Sequence, residues 1–249
     1  MQRYFVEKED VQENRMTIYG DDARHMTKVM RMKAGDSIQC IVDGRTATCE
    51  ITDFTNESVR VHVVEWIEET NELPIRVTIA SGLPKGDKLE YIVQKGTELG
   101  AAAFLPFSAA RSIVKWDEKK GKKKVERLEK IAKEAAEQSY RNLIPHITNP
   151  ISFKQLLEKS SNYDMCIVAY EEDAKNGESK ALKRVFEQLN PGQKLLVVFG
   201  PEGGLAEEEI SQLEASKFVR CSLGSRILRT ETAPLYVLSA VSYNFELSR

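Results

Sequence analysis

LLVVFGPEGG, residues 195–204, runs five apolar residues straight into a turn that holds three glycines. A short, continuous, β-branched apolar run reads as a strand buried on both faces. Glycines directly behind it permit a tight turn and close backbone approach, at the carboxyl end of a strand where open α/β sheets place their sites. Residues 75–80, 101–107, 165–169 and 218–223 are apolar runs of the same kind and alternate with helical stretches. The pattern predicts an α/β domain with a mostly parallel sheet covered by helices. One helix starts near Asp87 and spaces Leu89, Ile92, Val93 and Leu99 along one face. A second, from about Lys122, buries Val125, Leu128, Ile131, Ala132 and Ala135, and a last one carries Leu235, Leu238, Val241 and Phe245 to the C-terminus.

Ahead of Pro74 the period changes from helical to alternating. Residues 37–43 and 45–54 flank Asp43-Gly44, a dipeptide suited to a hairpin turn. In the second of these strands Ala47, Cys49 and Ile51 face one way and Thr46, Thr48 and Glu50 the other. Residues 58–66 alternate in the same manner, and one short helix follows the cap pair Asp21-Asp22. The reading is a small barrel-like β module. Polar residues 68–71 before Pro74 mark the boundary, giving a β domain over 1–72 and an α/β domain over 73–249.

A chain of 249 residues, 41% hydrophobic and 30% charged, can bury a sizeable core. Its first residues are too charged for a signal peptide, and no window approaches the roughly 18 apolar residues of a membrane span. A cytoplasmic protein with no membrane partner is expected. Cys40, Cys49, Cys166 and Cys221 form no CxxC pair and there are three histidines, so neither a disulfide framework nor a metal site is indicated. The net charge of −2 hides an uneven distribution. Arg24, Lys28, Arg31 and Lys33 form an acid-free basic run. Arg111, Lys115, Lys119, Lys120, Lys122, Lys123 and Lys124 form another, interrupted only by Asp117 and Glu118. Such runs read either as a solvated surface or as a footprint for nucleic acid.

The glycine turn at 200–204 matches neither the dinucleotide fingerprint nor the P-loop, and Glu207, Glu208 and Glu209 crowd the helix start behind it. Those carboxylates satisfy the helix N-terminus and repel a phosphate. A cationic, phosphate-free adenosine ligand such as S-adenosylmethionine stays compatible. A second strand-to-helix stretch, LGSRILRTETAP at residues 223–234, places charged groups around the apolar pair Ile227-Leu228, with Thr232 as a cap and Pro234 in the first turn. Two glycine-bearing strand ends of this kind resemble two walls of one pocket. On the second helix, Glu134, Gln138 and Arg141 share a stripe that reads as solvent-facing or functional.

GPEGGL (200–205), LGSRILRTETAPL (223–235), KLEYIVQKGTELG (88–100) and EAAEQSYR (134–141) together resemble the bacterial 16S rRNA uridine-N3 methyltransferase family, of the trefoil-knotted SPOUT class. The resemblance covers the whole chain, including an N-terminal module similar to the PUA type. It implies a C-terminal knot, a homodimer, S-adenosylmethionine as methyl donor, and small-subunit 16S rRNA or the small subunit itself as substrate. Carried onto this sequence, the cofactor loops are Gly200, Glu202 and Gly203, then Leu223, Gly224, Ile227, Leu228, Thr230 and Ala233, with Leu83 completing the pocket.

Methylation of a uridine N3 requires loss of its proton, which leaves negative charge on the uracil carbonyls that a guanidinium can favour. Arg229 and Arg141 are the candidates for that charge, with Glu231 as base or orienting group. The plain alternative for each is a dimer or core salt bridge. RNA phosphates fall to Arg24, Lys28, Arg31 and Lys33. Two other readings stay open at this point, a non-catalytic RNA-binding or ribosome-assembly protein and a related enzyme acting on a ribose 2′-hydroxyl.

Overall fold

In the computed structural model, which describes residues 1–170 and 180–248, the chain opens with three short strands, β1 (Arg3–Phe5), β2 (Val11–Gln12) and β3 (Arg15–Tyr19). Helix α1 (Gly20–Arg24) follows and runs into one wide turn over His25–Val29. Tyr19, not an aspartate, holds the N-cap position. Asp21 and Asp22 sit instead in the first turn, where carboxylates also favour the helix dipole. Strands β4 (Ser37–Val42), β5 (Arg45–Phe54) and β6 (Ser58–Ile67) complete a six-stranded sheet in the order β1-β4-β5-β6-β3-β2, parallel only at β1 and β4.

The β4–β5 turn is the one the dipeptide predicts, with Asp43 at φ 48° and Gly44 at φ 78°. Two register irregularities between β5 and β6, at Thr48/Cys49 and Ile51/Asp53, add the local twist that curls a sheet. Ala47, Cys49 and Ile51 point into a core with Tyr4, Met16, Ile18, Met26, Ile38 and Val61. Thr46, on the opposite face, is buried too, and its hydroxyl accepts from Arg3 at 3.0 Å and from the Asn142 amide at 3.0 Å.

The rest of the chain builds the second sheet. Its elements are β7 (Arg76–Gly82), α2 (Lys88–Glu98), β8 (Ala103–Ser108), α3 (Glu118–Gln138), β9 (His146–Ile147), β10 (Ile151–Ser152), α4 (Phe153–Ser160), β11 (Met165–Ala169), α5 (Ala181–Gln188), β12 (Lys194–Phe199), α6 (Glu207–Ala215), β13 (Val219–Cys221) and α7 (Ala233–Ser242), closed by a wide turn over Tyr243–Leu247. The strand order is β10-β8-β7-β12-β11-β13, with β9 also on β8, and each of these pairings is parallel. Strand β12 is central and its residues alternate between two cores. Leu195 and Val197 pack with Ile79, Ile92, Val93, Phe104 and Leu238, while Leu196 and Val198 pack with Phe107, Leu156, Val168, Ile210 and Leu213. That two-sided burial is why its sequence is an unbroken apolar run. No described helix is long and apolar enough to cross a membrane.

Contacts divide the chain into one unit of Met1–Glu72 with Ala136–Leu143 and another of Leu73–Ala135 with Ile144–Arg249. Helix α3 begins at Glu118, four residues before the sequence suggests, because the Asp117 carboxylate accepts the Lys120 N–H at 2.7 Å. It stops at Gln138, Tyr140 turns to φ 60°, and the Arg141 N–H closes back on the Ala136 carbonyl at 2.9 Å. The stripe read through Glu134, Gln138 and Arg141 is therefore broken: the first two are exposed and Arg141 is buried.

Candidate active site

The carboxyl ends of β12, β13 and β11 meet at a cavity of about 560 Å³ within the second unit. Residues 199–205 form one wall, Leu223, Gly224 and residues 226–230 another, and Ala169, Tyr170, Ala233, Lys88, Arg111 and Glu207 complete it. Nine of the ten residues expected to hold a cofactor line it: Gly200, Glu202, Gly203, Leu223, Gly224, Ile227, Leu228, Thr230 and Ala233. Leu83 does not, since its side chain is 1% exposed within the core.

The first wall needs its glycines. A β-carbon on Gly200 would lie 2.9 Å from the Gly204 carbonyl carbon and 3.0 Å from the Leu205 nitrogen, so only glycine lets the loop fold back on itself. Gly204 has φ +70°. Gly82, at the end of β7, supports the loop from behind, where a β-carbon would meet Pro201 at 2.6 Å. Arg111 donates to the Gly203 carbonyl at 3.1 Å. The buried Glu209 carboxylate accepts from Ala110 at 2.8 Å and from Ala206 at 2.9 Å, fastening the start of α6 to the chain after β8. In the second wall Gly224 takes φ +95°, which favours glycine. Thr232 makes no side-chain cap: it is already in the right-handed helical region, and Pro234 two residues on has no N–H to offer it, while the Arg229 carbonyl takes the Thr232 and Ala233 N–H groups at 2.9 and 3.0 Å.

Lys88 joins the two walls. Its ammonium lies 3.1 Å from Glu202 Oε1 and 3.2 Å from Glu231 Oε2. The hydrogen bond to Glu202 raises the Lys88 ammonium above its ordinary value, and Glu231 adds to the effect. Burial pushes the Glu202 carboxyl up, but it ends below the usual carboxylate range because its own and the Lys85 N–H groups and the Lys88 ammonium favour the charged form. Glu231 Oε2 is shut off from solvent and makes no hydrogen bond, so it faces Lys88 as an ion contact only. Its other oxygen, Oε1, is directed to Arg229 Nη1 at 3.9 Å. Arg229 lines the cavity with its side chain 83% exposed.

Arg141, by contrast, is no part of this constellation. It is 2% exposed in the first unit, where Nε and Nη2 both bond the Glu72 carboxylate, and Glu72 also accepts from the Asn142 and Leu143 N–H groups at 2.9 and 3.1 Å. A guanidinium so enclosed is a structural ion pair, which corrects the expectation of a catalytic one. Arg24, Lys28, Arg31 and Lys33 are all exposed on the first unit, Arg24 paired with Asp21 at 2.8 Å and Arg31 held at φ 53°. Sequence reading passed over Lys88 and Tyr170, and took Arg111 only as part of a basic run. Lys88 did leave a signal, since a lysine in the first turn of a helix opposes the helix dipole unless carboxylates elsewhere answer it.

Two glycine-walled loops at the carboxyl ends of parallel strands form a nucleoside-sized cavity in a domain preceded by a curled β module, and that domain is of the RNA methyltransferase class. The RNA methyltransferase domain family matches residues 71–242, and the RNA methyltransferase PUA domain family matches residues 18–64. Ribosomal RNA small subunit methyltransferase E of Bacillus subtilis is 56% identical over 253 residues, spanning 100% of this chain and 99% of that one. Solved structures of a methyltransferase from Legionella pneumophila in complex with S-adenosylmethionine and of ribosomal RNA small subunit methyltransferase E from Neisseria gonorrhoeae bound to it align with TM-scores of 0.83 and 0.82. Their identities are 28% and 27%, over 96% and 97% of this chain and the same shares of theirs. The chain belongs to the ribosomal RNA small subunit methyltransferase E family. The family, the fold class and the methyltransferase activity expected from the four motifs hold.

Proposed function

We propose that this protein methylates N3 of a uridine in 16S rRNA with S-adenosylmethionine as donor, in the cytoplasm and as a homodimer. The convergence of the 200–204 and 223–230 loops on one cavity carries the reading. The residues fit the cofactor. The space is adequate for a nucleoside-sized ligand, and the loops expose backbone and small side chains to an adenine edge; Glu202 and Glu207 line it beside Lys88, Arg111, Arg226 and Arg229, so the fit rests on shape and backbone and not on net charge. When bound, S-adenosylmethionine supplies an electrophilic methyl group. Gly200, Glu202, Gly203, Leu223, Gly224, Ile227, Leu228, Thr230 and Ala233 would hold it.

The chain's own residues then do the proton work. Lys88 fixes Glu231 by Oε2, leaving Oε1 to accept the N3 proton of uridine. Arg229, beside that oxygen and reaching into solvent, answers the negative charge that deprotonation leaves on the uracil carbonyls. Arg24, Lys28, Arg31 and Lys33 attract RNA phosphates without reading sequence. The homodimer is supported by Tyr236, Tyr243 and Leu247, which expose apolar surface along the C-terminal helix and its closing turn. Calorimetry with S-adenosylmethionine, followed by nucleoside mass spectrometry of small-subunit RNA treated with enzyme, is expected to show cofactor binding and 3-methyluridine. A 2′-O-methylated nucleoside, or binding without any transfer, would reject the assignment.

Lys88→Met should lower kcat/KM about tenfold, roughly 1.4 kcal/mol of transition-state stabilisation, by freeing both walls. Lys88→Arg should restore most of it. Because the folded Glu202 pKa is depressed, its contribution to the clamp is present above the ordinary carboxylate value of about 4.3 and fades as pH falls through the lower folded value. The raised Lys88 pKa works in the opposite sense, with its contribution fading only as pH rises through a folded value above about 10.4. Cofactor affinity should therefore show no step between these limits that depends on Lys88. A wild-type affinity step near neutral pH that vanishes in Lys88→Met would contradict the clamp.

A further inference from the structure

We propose that a second cavity, of about 390 Å³, holds the base and phosphate of a nucleotide flanking the methylated uridine; the proposal rests on the RNA-methylation reading above. Pro84, Leu89, Val114, Trp116 and Leu128 give it an apolar interior, and Lys120 and Lys124 give it cations. That combination of an aromatic surface and ammonium groups is the chemistry that takes a single-stranded nucleotide, with the base stacked and the phosphate neutralised.

Trp116 is partly buried against the core, so its indole is a fixed platform. The Lys124 ammonium lies over the ring, 5.5 Å from its centroid, and its flexible stem lets it turn from the indole to a phosphate brought by a stacked base. Lys120 starts from a fixed backbone, since its N–H is capped by Asp117 at 2.7 Å, while its side chain is exposed. Among the described residues neither Lys120 nor Lys124 forms a salt bridge. Glu90 is the sole carboxylate among the lining residues, and Arg127 engages it at 2.6 Å. The cavity's field is thus positive, in a protein whose overall charge is −2.

Its position matters as much as its chemistry. One short segment of the second unit borders both cavities: Pro84, Gly86, Leu89 and Glu90 line this one, Lys88 lines the other, and the Lys85 N–H bonds Glu202 at 3.1 Å. A nucleotide seated on Trp116 is therefore a neighbour of the one at Glu231. The basic run 111–124 acquires a use in this arrangement, with Arg111 on the cofactor cavity and Lys120 and Lys124 on the nucleotide cavity.

Of the two tryptophans, Trp66 can be removed as Trp66→Phe, leaving Trp116 as the sole indole. Titration of that protein with a single-stranded, uridine-containing oligoribonucleotide should quench its emission. Trp116→Ala should weaken RNA binding about tenfold with S-adenosylmethionine affinity unchanged, and Trp116→Phe should recover most of the loss. Lys120→Ala with Lys124→Ala should flatten the dependence of log affinity on log salt by about 0.7, the share of the one phosphate held there. RNA that binds and is methylated without altering the indole emission overturns the subsite alone, as does Trp116→Phe binding RNA as weakly as Trp116→Ala. Quenching by uridine monophosphate at the same concentrations as by RNA overturns it in favour of a free-nucleotide site. Absence of all RNA binding overturns the subsite together with the methylation reading.

Discussion

Gly200→Ala is expected to weaken S-adenosylmethionine binding by about 100-fold or more, some 2.7 kcal/mol, in a protein that still folds. The added methyl has nowhere to go, because the atoms 2.9 and 3.0 Å from it belong to the backbone of Gly204 and Leu205, not to a side chain that can swing away. The loop must open by several tenths of an ångström. In doing so it carries along Glu202, with its bonds to Lys85 and Lys88, and the Gly203 carbonyl held by Arg111. Strand β12 ends at Phe199 and its two cores lie beneath the loop, so far-UV circular dichroism should be unchanged. Calorimetric affinity within threefold of the unsubstituted protein would mean that the loop does not cradle the cofactor.

The second large effect belongs to stability. Glu72→Ala removes a carboxylate that accepts from Arg141 and from the Asn142 and Leu143 N–H groups, so a buried guanidinium loses an ion-pair partner. Deleting one partner of a buried ion pair costs about 3–5 kcal/mol, well above the roughly 1 kcal/mol of an exposed pair. Urea unfolding followed by Trp66 fluorescence in a Trp116→Phe background reports the first unit by itself, since Trp66 lies on β6. Glu72→Gln should be milder, because its carbonyl still accepts from the backbone. A loss below about 1 kcal/mol in Glu72→Ala would mean that the Glu72–Arg141 pair contributes no more than an exposed one.

Much of this was legible in the sequence where one local cause settles the matter. The buried run 195–199 and its glycines announced both the central strand and the pocket floor, and Asp43-Gly44 announced its hairpin. Arg141 was misread because the stripe assumes an unbroken helix, and the positive φ of Tyr140, a residue with no turn preference of its own, breaks it. Leu83 went astray for a related reason: the end of β7 places it near the site in sequence, but its side chain turns into the core. The partners of Lys88 were illegible because its two glutamates lie 114 or more residues away in the chain, although its place in the first turn of a helix left a signal. No periodicity encodes such pairings.

The first unit is completed by residues 136–143, whose Tyr140 ring lies under the Arg3 guanidinium at 4.9 Å and whose Asn142 bonds Thr46. This discontinuity has a consequence for synthesis. At roughly 5–20 residues per second, several seconds separate the emergence of Glu72 from that of Leu143. Throughout that interval the β module waits for Tyr140 and Asn142, so it is not finished when its own 72 residues have emerged but only once residue 143 has followed. A nascent chain arrested short of residue 143 should stay sensitive to protease within its first 72 residues, and one arrested far enough beyond it to clear the ribosome should become resistant.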